Sequence, residues 1–526
     1  MIFYGVLGVI LILLGIIVVV EQYMVQYITY IIQKKVNLVD GTAIYELWRN
    51  PIPLQLTCYL FNVTNPDDVM RGENPNFVEY GPFIYDETFE KQVIDIDEEN
   101  DEITYTTRST FAFNKRQSLN VTRHDKVTIL NPAYIGTISM LTTLPPNFME
   151  KYGDHIPKLF PNRSSIFLKA RPTDLLFNGV KVSCNTKKFP ELNLICKTLE
   201  SKPPPVLRRT EDEGIYLLSF FQRMNGTIRG PFTINRGLKN ISLLGDTTAY
   251  MEKRMLDLWY SDSCNKVRGT DTILWAPLVK PLSSVASFSP DMCRSLNADY
   301  VKEVTIHGVK GSKFALNERA WFLNESQCYC PRVNDEIKCL PQGLIDTSEC
   351  QKLPVVSSEP HFLHGDPELL TYARGLKPDK DLHETFIIIE HVSGAPISGN
   401  KASQVNLKLT RQPVELLANV SEGYFPILWC KSGETLELVR MPDTYQVLRL
   451  LQLTRYLQYL PLTIGIYILL LTGVLWGCAQ RKLQTSNLTV EEIFVSSNLQ
   501  TNSVVRRPPR RPTESFDGLQ RVYPAF

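Results

Sequence analysis

Two long apolar runs frame this chain. Ile2 to Val20 carries no charge, and Glu21 is the first charged side chain after it. About 20 apolar residues cross a hydrocarbon core of ~30 Å, so this run predicts a spanning helix. A cleaved signal peptide is the competing reading, but it wants a basic start, a shorter apolar stretch and a small-residue cleavage site, which residues 1–21 lack. Leu460 to Ala479 (LPLTIGIYILLLTGVLWGCA) is the second run, followed at once by Arg481 and Lys482 and later by Arg506, Arg507, Arg510 and Arg511. Basic flanks stay on the cytosolic side. The pattern therefore predicts a two-pass plasma-membrane protein with both termini cytosolic and residues 22–459 outside, although Lys34 and Lys35 pull weakly the other way.

Between the runs the pattern is mostly that of strands. Gln55 to Val63 (QLTCYLFNV) is β-rich and stops at the Asn65-Pro66 turn. Gln92 to Ile96 and Ile103 to Phe113 read as hairpin arms around an acidic tip, Asp97 to Glu102, expected to be solvated and to guard the sheet edge. Thr385 to Val392 and Gln404 to Leu409 are further strands. Helices are expected in residues 131–176, where Pro132, Pro145, Pro157 and Pro172 cut the chain into short pieces. The reading is one large α+β exterior domain, a spanning segment at 460–480, and a cytosolic tail at 481–526 without helical periodicity, for which disorder is the default. In that tail RRPPRRP (506–512) reads as a solvated basic run, YPAF (523–526) has the form of a sorting signal, and Cys478 sits at the inner boundary as a palmitoylation candidate or an inert thiol.

Cysteine placement sets the compartment. Six of the 11 cysteines, Cys264, Cys293, Cys328, Cys330, Cys339 and Cys350, fall in residues 264–350. Six thiols allow 15 pairings, and spacing selects none uniquely. A strand-like C-x-C directs Cys328 and Cys330 to opposite faces, and Cys330 is able to close on Cys339 through the turn residues Asn334 and Asp335. Zinc prefers C-x2-C, which is absent here, so disulfides and an oxidising exterior are favoured. Seven sequons between the apolar runs, at Asn62, Asn120, Asn162, Asn225, Asn240, Asn324 and Asn419, point to the same compartment as glycosylation candidates, while an eighth, at Asn487, falls in the cytosolic tail and is expected to stay unglycosylated. A net charge of +1 removes any global field toward nucleic acid.

No catalytic signature is present: G-x-S-x-G, H-E-x-x-H, G-x-x-x-x-G-K-[ST] and G-x-G-x-x-G are all missing, so no enzyme activity and no cofactor is expected. His361 and His364 near Asp366 read as turn packing rather than metal ligands, and His383 and His391 as caps on a strand. In 156–169, apolar Ile156, Leu159, Phe160, Ile166, Phe167 and Leu168 interleave with Lys158, Arg163 and Lys169. Apolar groups beside cations suit capture of a lipophilic molecule with a polar head, and make Lys158, Phe160, Arg163, Phe167 and Lys169 the candidate capture residues. An amphipathic core element with one solvated face shows the same pattern.

Taken together, FNVTNP (61–66), YGPFIY (80–85), SIFLKARPTDLLFNG (165–179), FSPDMCRSL (288–296), CYCP (328–331) and HFLHGDP (361–367) resemble the class B scavenger receptor family. The pair Cys184 and Cys196 and the stretch FVEYGPFIYDE point, within it, to the insect sensory neuron membrane proteins. The resemblance implies an antiparallel β-barrel core, a membrane-distal helical bundle and an apolar tunnel running toward the bilayer. It implies pairing of Cys264 with Cys328, Cys293 with Cys350 and Cys330 with Cys339, with Cys184 and Cys196 an extra candidate bridge and Cys58 and Cys430 free or paired. Where vertebrate relatives have a lipid-engaging lysine this chain has Pro161, with Arg163 nearby. The implied function is non-enzymatic capture of lipophilic ligands, such as fatty-derived pheromones, and delivery to the membrane or an odorant receptor, with odorant-binding proteins as further partners. The alternative is a scavenging or adhesion receptor that internalises its ligand.

Overall fold

The computed structural model describes residues 2–500 except 21–29, 32–34, 119–120, 122–124, 202, 205, 278–281, 317–326, 331, 334–335, 392, 434–452 and 454–455. Two compact units result, residues 25–455 and the paired terminal segments 1–24 and 456–526.

The larger unit is built on eleven antiparallel strands: β1 Leu54–Val63, β2 Phe77–Asp97, β3 Glu102–Phe113, β4 Ile228–Asn235, β5 Thr247–Tyr250, β6 Ser284–Ser289, β7 Arg294–Ile306, β8 Val309–Ala315, β9 Phe386–Glu390, β10 Pro396–Leu409 and β11 Gly423–Ser432. Their hydrogen-bonded order is β5-β4-β3-β2-β1-β11-β10-β9-β8-β7-β6. That is chain order with one break, because β11 pairs with β1 and joins the end of the sheet to its beginning. The free edges, β5 and β6, nearly meet: Thr270 bridges to Asp246 beside β5 and to Ser287 in β6. Tyr250 of β5 and Phe288 of β6 also meet across this seam, their rings tilted with centroids 5.3 Å apart. Gly269 permits the close approach, since a Cβ there would lie 2.5 Å from the Ala286 carbonyl carbon at φ +88°. The sheet is thus an up-and-down barrel in all but its last seam, which removes most of its exposed edge.

Expected strands are present, most of them longer, although the one expected from Thr385 is confined to Phe386–Glu390. The first hairpin arm reaches back from Asp97 to Phe77. Its acidic tip is only partly solvated: Glu98 and Glu99 are exposed, but Asp101 and Glu102 are buried. Arg254 grips Glu102 through two bonds of 2.9 and 2.8 Å, and Asp101 accepts from the Lys239 amide at 2.8 Å, which corrects the picture of a free tip.

The insertion between β3 and β4 holds the helical subregion. Helices Pro132–Thr142 and Pro146–Tyr152 and a 3-10 turn, Gly153–Leu159, fall where prolines placed them. Asn131 caps the first, accepting from the amides of Ala133 and Tyr134 with Pro132 at the first helical position. Phe167–Ala170 is instead a strand paired with Val127–Leu130. A further helix, Asn193–Ser201, adds Ile195, Cys196 and Leu199 to the core.

In the smaller unit, helix Ile2–Val20 packs on helix Leu460–Gln500. Both contain stretches long and apolar enough to cross a membrane, Ile2–Val19 and Leu457–Asn487. Glycines let the backbones touch: a Cβ on Gly15 would lie 2.6 Å from the Leu462 nitrogen, and one on Gly465 2.8 Å from the Ile12 nitrogen. The helix continues to Gln500, so the expectation of a tail without helix from residue 481 is corrected over 481–500. The motifs at 506–512 and 523–526 lie outside the described residues.

Candidate ligand-handling site

The capture candidates divide by environment. Phe160 and Phe167 are buried at 5% and 4% exposure, facing Tyr134 and Phe425 respectively, as members of the main core. They hold the helical subregion to the sheet and have little surface left for a ligand. Lys158, half-buried, pairs with Glu191 and contacts Nδ1 of His155 at 3.1 Å. Arg163 and Lys169 are exposed. The structure gathers three cations on one ring not singled out from sequence: Lys158, Arg163 and Lys188 lie 5.7, 4.7 and 5.5 Å from the centroid of Phe189. Its signal was the run KKF at 187–189. Below the helices, an enclosed apolar pocket lined by Pro132, Val206, Leu218, Phe220, Leu353 and Leu407 measures about 10 Å³. That is room for about one water, so at this point the helical subregion is packed shut against the sheet.

The inner face of the barrel offers a larger apolar wall. Paired residues of antiparallel strands share a face. The row Lys401, Ser432, Leu56, Tyr85 and Phe113 is therefore one transverse line, running through β10, β11, β1, β2 and β3. Along β3 this face is buried at Tyr105, Thr107 and Ser109, whereas Arg108, Thr110 and Ala112 on the other face are exposed, which fixes the row as inward. Tyr85 meets Phe113 at 5.3 Å and Phe177 at 4.5 Å, and Phe177 meets Phe111 at 5.3 Å and Phe221 at 5.9 Å. Phe111, Phe113 and Phe221 keep part of their surface accessible. Such a wall binds apolar chains by burial, worth ~25 cal/mol per Å².

Five disulfides fasten this body: Cys58–Cys430, Cys184–Cys196, Cys264–Cys328, Cys293–Cys350 and Cys330–Cys339, with Cα separations of 4.1, 5.5, 6.0, 5.7 and 4.9 Å. Cys58 and Cys430, left open by the sequence, are directly opposed in β1 and β11. Cys478 is an exposed free thiol. Of the sequon asparagines, Asn162, Asn240 and Asn419 are exposed, and Asn62 and Asn225 are half-buried. The last two accept backbone amides of Thr128 (2.8 Å) and Phe111 (3.0 Å) through Oδ1. Asn120 and Asn324 lie outside the described residues.

His361, His364, His383 and His391 sit in packing and hydrogen-bond contacts. His361 stacks on His383 at 4.5 Å and pairs through Nε2 with Glu79 at 2.8 Å, while its Nδ1 accepts from the Lys377 amide. His364 bonds the buried Glu359 at 2.7 Å, and this contact raises the imidazole pKa. His391 meets Ser312 and Glu303 at 2.8 and 3.1 Å, just past β9. Among the described residues no group of three or more His, Cys, Asp or Glu is placed to hold a metal ion.

Comparison with known proteins agrees with this architecture. The family model described as "CD36 family" matches residues 6–476. The chain is 32% identical over 431 residues to sensory neuron membrane protein 2 of Manduca sexta, covering 80% of this chain and 82% of the relative. It is 31% identical over 406 residues to sensory neuron membrane protein 1 of Apis mellifera (76% and 77% covered), and 33% over 418 residues to that of Anopheles gambiae (77% and 75%). With the model match running through the barrel and into both terminal helices, the chain belongs to the CD36 family of class B scavenger receptors.

Proposed function

We propose that this protein is a non-enzymatic cell-surface receptor of insect sensory tissue that captures lipophilic ligands, fatty-derived pheromones or odorants, and passes them through its exterior domain to the membrane or to an odorant receptor. The observation that carries the reading is the inward aromatic wall of the barrel, in a chain whose relatives are named sensory neuron membrane proteins. Two candidate spans, one at each end, suit a tethered body receiving ligand from the aqueous side. On this reading both termini are cytosolic, and the seven exterior sequons, Asn62, Asn120, Asn162, Asn225, Asn240, Asn324 and Asn419, face the glycosylating compartment. Odorant-binding proteins would supply the ligand.

The three cations around Phe189 favour a second reading, scavenging of anionic particles followed by internalisation. One experiment separates the two. In cells expressing the chain with an odorant receptor, deletion of Tyr523 to Phe526 should leave ligand-evoked current intact. If instead uptake of lipoprotein collapses and current never depended on the protein, the scavenging reading replaces the first.

A further inference from the structure

Not all of the inward face is apolar. Two residues along β2 from Tyr85, and on the same face, is Glu87, paired with Leu54 in β1 and Phe111 in β3. Further round, Arg229 of β4 pairs with Thr107 of β3, so it too points inward. Lys401 lies on the row of Tyr85 and Phe113. The turn between β6 and β7 adds Asp291, whose Oδ1 takes Nη2 of Arg229 at 2.7 Å. Arg223 stands behind, bonded to Gln351, which donates in turn to the Asp291 carbonyl. The Cys293–Cys350 bridge clamps this turn, since Asp291 lies two residues before Cys293 and Gln351 directly follows Cys350.

An ordinary structural ion pair would be closed to solvent, as Lys91–Asp271 is on this same face, with side-chain exposures of 0% and 13%. The second group is open. Arg229 and Asp291 keep 25% and 28% of their side-chain surface accessible, Glu87 is half-buried and Lys401 is exposed. Yet burial pushes the Glu87 carboxyl up, partly offset by Ser109, Lys401 and Arg229. Burial would raise Asp291 as well, but Arg229, Lys401 and Arg223 outweigh it and hold that carboxyl low. These groups thus face inward, keep charge close together and remain reachable from solvent. Three cations (Arg223, Arg229, Lys401) against two carboxylates (Glu87, Asp291) leave one positive charge over, 3 − 2 = +1. Lys401 is its natural seat, because no carboxylate lies within ion-pair distance of its ammonium among the described residues.

We propose that Lys401, Arg229 and Glu87 form a specificity-determining polar station inside the barrel, which retains long-chain amphiphiles bearing an anionic head and holds neutral ones of equal length less tightly. The tail lies along Tyr85, Phe111 and Phe113, and the head meets Lys401, whose ammonium gives a charge-assisted bond to a carboxylate and an ordinary one to a hydroxyl. This deepens the functional reading above and rests on it.

The test uses the purified full chain in detergent, with a fluorescent polyene fatty acid displaced by palmitate or by hexadecanol. Wild type should bind palmitate about tenfold more tightly than hexadecanol, a ratio equal to about 1.4 kcal/mol. Lys401→Gln should erase that preference by weakening palmitate alone, and Lys401→Arg should restore it. Saturable binding of both ligands with equal affinity, unchanged in Lys401→Gln, overturns the station and leaves the functional reading standing. Absence of saturable binding of either ligand to wild type overturns both. A Lys401→Gln protein that loses both ligands equally while its unfolding midpoint is unchanged also overturns the station, since the lysine would then shape the lumen and not select the head.

Discussion

Cys58 and Cys430 face each other across β1 and β11 with Cα atoms 4.1 Å apart, although 372 residues separate them in sequence. The bond thus sits at the one place where the sheet joins its last strand to its first. On the chain-entropy estimate a loop that long stabilises by about 6 kcal/mol, an upper bound because other bridges already shorten it, whereas Cys330–Cys339, with a separation of 9, gives about 2.5 kcal/mol. The double variant Cys58→Ser/Cys430→Ser should therefore lower the unfolding midpoint in denaturant more than Cys330→Ser/Cys339→Ser does. Equal losses would show that closure of the barrel does not depend on this bond.

Asp271 collects three side-chain donors inside the barrel, Lys91 at 2.5 Å, the Trp48 indole at 3.2 Å and the Tyr105 hydroxyl at 2.9 Å, besides the Ile273 amide at 3.1 Å. Lys91 also lies 4.3 Å from the Trp48 ring. Burial lowers its pKa to about 8 against the pull of Asp271. Removing one member strands the other charge, so Lys91→Met should cost about 3 to 5 kcal/mol. Lys91→Met/Asp271→Asn should recover a good part of that in the same denaturation assay, an outcome that additive losses would contradict.

The stacked pair His361 and His383 sets an acid limit. Burial, then His361, lowers His383 to about 4, against Glu79 and Asp379, with Lys431 reinforcing the shift. An unfolded histidine titrates near 6.5, so between about pH 6.5 and 4 the unfolded chain binds the extra proton and stability falls as pH falls. The loss is on the order of 3 kcal/mol. His364 has the opposite sign, because its bond to Glu359 raises its pKa, so its contribution is present below the unfolded pKa and lost as pH rises through the folded one. Stability measured from pH 7 to 4 should decline less steeply in His383→Asn than in wild type. Parallel curves would assign the acid sensitivity elsewhere.

The contact between the terminal helices depends on particular glycines. A Cβ added at Gly465 already lies 2.8 Å from the Ile12 nitrogen, so Gly465→Leu must push against that backbone, while a Cβ at Gly473 meets nothing within 4 Å and leaves Gly473→Leu an open start. Heating the full chain in detergent should show a lower midpoint for the first variant and an unchanged one for the second. A shift shared by both would point to helix propensity and not to packing.

Local pattern was enough for some of this structure and powerless for the rest. QLTCYLFNV shows its strand in its own alternation, and Ile2 to Val20 its helix in its length. Phe160 and Phe167 were ambiguous for a physical reason: apolar groups beside cations look the same whether the apolar part faces a ligand or the core, and both of these side chains are buried in the core. The Cys58–Cys430 bond and the Glu87, Arg229 and Lys401 group had no local signal, because each depends on which strands become neighbours and in what register. Asp101 and Glu102 looked like solvated tip residues because their partners, Lys239 and Arg254, are far along the chain.

On the reading proposed above, a chain-like ligand lodges inside the barrel. Diffraction from crystals of the protein bound to palmitate brominated along its tail would locate that chain through the anomalous signal of bromine. The expected result is a bromine peak enclosed by the strands, beside Tyr85 and Phe113, with the carboxylate toward Lys401. Bromine found only on the outer surface, around Phe189, with the space beside Tyr85 empty, would contradict it.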